Sequence, residues 1–162
     1  MGALHGVARY ATGLARILGE GADLSVAAAT LHDVGYAPRL AATGFHPLDG
    51  ARFLRDEHDA DERLARLVAN HSFALLEAEE RALREALEAE FPLLEERLLV
   101  DAGVSCGMTT TPDGESTTAR DRMAEIVGRY GGDSVVGGIR RASPEILAAV
   151  ERVVAALVAQ PR

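Results

Sequence analysis

His32 and Asp33 stand side by side at the end of an apolar stretch, LSVAAATLHDVGY, and His5, His46 and His71 flank them at wide spacing. Imidazole nitrogens and a carboxylate are the usual ligands of borderline and hard divalent ions. A histidine beside an aspartate also supplies a base and the group that orients it. These residue types offer metal-assisted acid–base chemistry, with His32, Asp33, His46 and His71 as the candidate catalytic set. Together with His5 they make the candidate metal ligands. A nitrogen-rich set with one carboxylate suits Fe, Mn, Ni, Co or Zn better than Mg, which prefers oxygen. The remaining histidine, His58, lies in the charged stretch RDEHDADE and reads as a surface residue.

The elements that must position these groups are helices. No segment alternates apolar and polar residues as a half-buried strand does, and nearly every one repeats near 3.6 residues. Residues 3–19 carry Leu4, Ala8, Ala11, Ala15 and Leu18 on one stripe. Asp23 or Ser25 can cap a second helix that runs to about Asp33 and stops at Gly35. Residues 39–44, RLAATG, suggest a short helical turn closed by Gly44. Pro47 sits near the start of a helix that reaches about His58, and residues 61–72 put His71 on the side of Leu64, Leu67 and Val68. One charged helix is expected over 75–90 and another over 93–106. TTTPDGEST is a loop; the next helix ends at Tyr130, and two more take 133–141 and 144–159, with Ser143 capping the second. The expected fold is all-α: a single domain over residues 1–162, built as a bundle of eight or nine short helices. Such a bundle can gather imidazoles from distant stretches at one centre.

The net charge of −8 repels a phosphate backbone, which argues against nucleic-acid binding but leaves room for a small, anionic substrate. Arg52 and Arg55, about one turn beyond His46, are the candidate substrate-phosphate contacts. No apolar run is long enough to span a bilayer, and the N-terminus is too polar for a signal peptide, so a cytoplasmic protein with no membrane partner is expected. The single cysteine, Cys106, excludes an intrachain disulfide and reads as a small buried hydrophobe. The acid-rich helix over 75–90 and the alanine-rich last helix are faces on which a homodimer could form.

LHDVGY, TGFHPLDGARFLRD, VANHSF and GMTTTPDG, in this order, resemble the HD-domain superfamily of metal-dependent phosphohydrolases, over about residues 1–150. The resemblance implies an all-helical fold and hydrolysis of phosphomonoesters or phosphodiesters. It also implies one ion or two: His5, His32 and Asp33 match the first set of ligands, and His46 and His71 the histidines of a second. The closing aspartate of the pattern is replaced by Gly107 in SCGMTT. Asp101 lies six residues earlier, about 120° around a helix and about 9 Å along it, so it cannot fill that corner without a register change. Asp113 could reach the site only if its loop folded over it. Three readings follow: a metal-dependent hydrolase of a small phosphorylated metabolite or nucleotide; an enzyme whose chemistry Gly107 has redirected towards di-iron oxygenation, lyase chemistry or non-phosphate hydrolysis; and a non-catalytic small-molecule binding protein.

Overall fold

Small residues decide how the first helices meet. A computed structural model describes residues 2–130 and 133–160, with the side chains of 2–5, 7, 130 and 133–135 outside the description. The stripe over 3–19 is divided: α1 spans Gly2–Gly13 and α2 Ala15–Leu18, after which Gly19 takes φ +53° and a 3-10 turn leads onward. α3, Ala22–Leu31, starts without a side-chain cap; Ser25, an expected cap, is buried instead with Ala28 and Ala29. These short side chains let α3 lie against α1. Gly6 of α1 meets the backbone of Gly114, so closely that a Cβ there would stand 2.3 Å from the Gly114 Cα.

α4, His46–His58, carries Pro47 in its first turn and ends where Asp59 adopts φ +47°. α5, Glu62–Ala69, is capped by Asp61, whose carboxylate accepts the Arg63 N–H at 2.7 Å. The single charged helix expected over 75–90 is two: α6, Ala74–Glu80, and α7, Arg84–Glu90, with Ala82 at φ +55° between them. The break lets Ala78 and Leu87 both reach the core around Phe45, Leu48 and Phe91. α8, Arg97–Met108, packs on α3 and leads to a loop held by an isolated bridge between Thr110 and Ser116. α9, Ala119–Tyr130, precedes α10, Asp133–Ala159.

α10 merges the two helices expected around Pro144, which lies inside it. Ser143 does not cap; its hydroxyl donates to the Ile139 carbonyl at 2.8 Å within the helix. α10 is fastened to α8 by Arg152, whose guanidinium grips buried Asp101 at 2.6 and 2.9 Å. The architecture is an all-helical bundle; among the described residues there is no strand, and no helix long and apolar enough to cross a membrane.

Candidate metal centre

Three short connections bring the site together. His32 closes α3, and its Nδ1–H donates to the Ala29 carbonyl at 2.9 Å. The chain then leaves the helix at Asp33 (φ −96°, ψ 6°) and makes a 3-10 turn over Val34–Tyr36. Gly35 in that turn lies flat on the first turn of α4: a Cβ would fall 2.0 Å from the His46 carbonyl oxygen. Only glycine permits this approach, and it sets Asp33 beside His46. The loop that leads into His46 is held by Asp49, a buried carboxylate that accepts from Thr43 N, Thr43 Oγ1 and Gly44 N at 2.9–3.1 Å. Tyr36 stacks on the His46 ring with centroids 3.8 Å apart. His71 follows α5, and its Nδ1–H donates to the Val68 carbonyl at 2.6 Å. Ser72 and Phe73 then take φ +51° and +59°. Two successive non-glycine residues in the left-handed region cost free energy, and the sharp turn they make keeps His71 off the axis of α6.

The two carbonyl contacts fix tautomers. A carbonyl oxygen only accepts, so His32 and His71 carry their protons on Nδ1 and turn the lone pair of Nε2 inward. His32 Nε2 stands 3.2 Å from Asp33 Oδ2, while His46 Nε2 lies 3.7 Å from Asp33 Oδ1 and 3.1 Å from His71 Nε2. The Asp33 carboxylate is thus shared, one oxygen towards His32 and the other towards the His46–His71 pair. A lone pair facing a carboxylate oxygen at 3.2 Å is held there only by a proton or a cation between them. With metal–ligand bonds of about 2.0–2.2 Å, neighbouring ligand atoms on one ion sit about 3.0–3.4 Å apart. The donor set fits a divalent transition ion, and anchoring of imidazole Nδ1–H on a carbonyl is the usual support of a metal-bound histidine. Asp33, His46 and His71 form the tightest group, each offering one atom within 4.8 Å of the others.

Burial keeps His46 and His71 neutral. It pushes the His46 pKa down to about 3, helped by the positive charge that His71, His32 and Arg81 can bring nearby. The His71 pKa is pushed down to about 4 by burial and by His32, against the opposing pull of the Val68 carbonyl and Asp33. Both rings are ready ligands at neutral pH without first losing a proton.

Of the residues singled out in the sequence, His32, Asp33, His46 and His71 converge. His5 lies in α1, and its side chain is outside the described residues. Arg52 and Arg55 turn to Glu90: Arg52 Nε donates to it at 3.1 Å and Arg55 Nη2 at 3.2 Å, with Arg55 also over the Phe91 ring. Gly107 lies opposite Ser72, whose hydroxyl would be 3.5 Å from a Cβ at that position. Asp101 is occupied by Arg152 and Arg97, and Asp113 is exposed in its loop. Cys106 is buried, and burial raises its thiol to about 12, so it remains an uncharged thiol. His58 is exposed, its ring edge-on to Phe53. Sequence reasoning read Gly35 only as a helix stop and passed over Asp49, Tyr36 and Ser72. Asp49 had a signal: an acid in the first turn of a helix, placed to accept amides from the preceding loop.

A family model described as "HD domain" matches residues 4–102, which contain every converging residue. Comparisons with curated proteins and with solved structures give no match. The segment that the family model covers is the larger part of the chain, and it carries both the His-Asp pair and the two histidines gathered around it: the chain belongs to the HD domain family.

Proposed function

We propose that this protein is a metal-dependent hydrolase acting on a small phosphorylated metabolite or nucleotide. The observation that carries the reading is the shared carboxylate of Asp33, set between His32 on one side and His46 with His71 on the other. Asp33, His46 and His71 would hold one ion; His32, with His5, would contribute to a second that shares Asp33. An ion so held lowers the pKa of a water molecule and polarises a phosphoryl oxygen. The chain's own work is positional. Ala29 and Val68 keep the Nε2 atoms of His32 and His71 aimed inward. Gly35 and the loop held by Asp49 place His46, and Asp33, half exposed, lies on the side open to solvent and substrate. Arg81, whose charge is felt by His46 although it pairs with Glu77, is a cation that an anionic substrate would meet, whereas Arg52 and Arg55 would have to leave Glu90 to do so.

Gly107 supports a second reading. In the resemblance the corresponding position is an aspartate that completes the His5–His32 set. Without it that set is one anionic ligand short, which favours redirected chemistry: an oxygenase, a lyase or a non-phosphate hydrolase. A panel of phosphomonoesters and cyclic nucleotides with added Mn, Fe or Zn separates the readings. The hydrolase reading predicts turnover by the parent protein, abolished in Asp33→Ala. An inactive parent together with a phosphatase-active Gly107→Asp would transfer support to the second reading. Failure to retain any metal would leave only a binding protein. Gly107→Asp should fold, because its Cβ meets Ser72 Oγ at an ordinary 3.5 Å.

A further inference from the structure

Ser72 and Phe73, directly after His71, both take left-handed backbone, at φ +51° and +59°. Phe73 has a packing reason to accept this, because it lies against the cluster that contains Val104, Met108 and Ile146. Ser72 has no such support. It is exposed, and its hydroxyl makes no hydrogen bond among the described residues. Glycine would reach the same φ without the clash of Cβ against carbonyl oxygen that serine meets there. The serine hydroxyl instead faces α8. Apart from that helix itself, the only described atom within 4 Å of a Cβ at Gly107 would be Ser72 Oγ, at 3.5 Å. Ser72 and Gly107 border the same space as His32 and His71. The hydroxyl therefore stands at a corner to which α8 brings no side chain. It is one residue from His71, whose Nε2 lies 3.1 Å from that of His46. Backbone strain that no visible contact offsets is characteristic of places where a ligand is held.

We propose that the Ser72 hydroxyl is a substrate contact, donating to one phosphoryl oxygen while another meets the ion held by Asp33, His46 and His71. The inference rests on the reading that an ion is held there. A neutral hydroxyl competes poorly with imidazole and carboxylate for a transition ion. It does donate a hydrogen bond, and it adds no negative charge where a phosphate must approach. An aspartate in that corner would repel the phosphate; Ser72 with Gly107 opposite leaves room for it. The approach is from the open side, since Asp33 and Ser72 are both exposed while the His46 ring is mostly covered.

The test is calorimetric titration of inorganic phosphate into protein desalted after Mn(II) loading, with metal content measured on the same samples and urea midpoints on chelated protein. Ser72→Ala keeps its Mn(II) and binds phosphate about tenfold more weakly than the parent, the usual effect of losing a hydrogen bond to a charged group. Ser72→Gly shows the same loss, yet its urea midpoint holds or rises, because glycine carries no strain at φ +51°. A serine kept for stability alone gives the reverse: a lower midpoint with phosphate binding intact. A Mn(II)-loaded parent that binds no phosphate, equal affinity in the parent and Ser72→Ala, or a fall in the Ser72→Gly midpoint overturns the proposal. So does loss of Mn(II) from folded Ser72→Ala, which would put the hydroxyl on the ion rather than on the substrate. A parent that retains no Mn(II) overturns the metal reading itself, and the contact falls with it.

Discussion

At the scale of single residues the site is a problem of protons. His46 and His71 have pKa values pushed from an ordinary 6.5 to about 3 and about 4 by burial. The unfolded chain binds protons at these rings as the pH falls below about 6.5, and the folded metal-free protein does not. Their contribution to stability is therefore complete above that pH and is lost as the pH falls towards 4, at up to about 1.4 kcal/mol per pH unit for each histidine. Urea melts of chelated protein at pH 7 and pH 5 check this: the midpoint should fall at pH 5, and by less in His46→Phe. A midpoint unchanged between these pH values contradicts the buried, neutral assignment. His32, Asp33, His46 and His71 were legible in the sequence because histidine is rare in this chain and these positions fell on faces or flanking turns expected to point inward; His5, read the same way, has its side chain outside the described residues. Asp49 and Ser72 were less so, because local backbone geometry gives them their place, and neither residue type announces a ligand.

At the scale of elements the site depends on how closely α4 and the 3-10 turn after α3 approach. Gly35→Ala places a Cβ 2.0 Å from the His46 carbonyl oxygen, so α4 must move away from Asp33. The expected result is a loss of several kcal/mol of stability and of metal affinity. Gly13→Ala is the control, because its Cβ meets nothing within 4 Å among the described residues, and should be neutral or stabilising. Equal stability of the two variants in urea would contradict the close-contact account. The helices were readable from periodicity, but their interruptions were not. The expected helix over 75–90 divides at Ala82, and the two expected at 133–141 and 144–159 join across Pro144. Alanine has no propensity for the left-handed region and proline little for a helix interior. In both places packing against the core overrides the local preference, with Leu87 and Ile146 wholly buried.

At the scale of the molecule, charge is organised by arginine alone. The chain has no lysine, and its arginines answer an excess of acids. Most pairs are exposed and each contributes little. Asp101–Arg152 differs, because Asp101 is only 3% exposed and joins α8 to α10. Arg152→Met should cost about 3 kcal/mol by leaving a buried carboxylate with only exposed Arg97. Arg84→Met, in exposed pairs with Glu79 and Glu88, should leave the midpoint nearly unchanged in the same urea experiment. Similar losses in the two would show that Asp101 is not effectively buried. The sequence pointed to Asp101 only as a candidate ligand, since a carboxylate reads the same whether it faces an ion or an arginine. What separates the two is which side of α8 meets α10, and that is a property of the assembled bundle.

The claim beneath all of this is that Asp33 and the inward Nε2 atoms of its neighbouring histidines share a metal ion. Elemental analysis of the desalted protein after exposure to Mn, Fe or Zn tests it most directly. The prediction is one to two equivalents retained by the parent, and a sharp drop in an Asp33→Ala variant that keeps its helical circular dichroism. Retention of no metal by the parent, or equal retention by the folded variant, would contradict it.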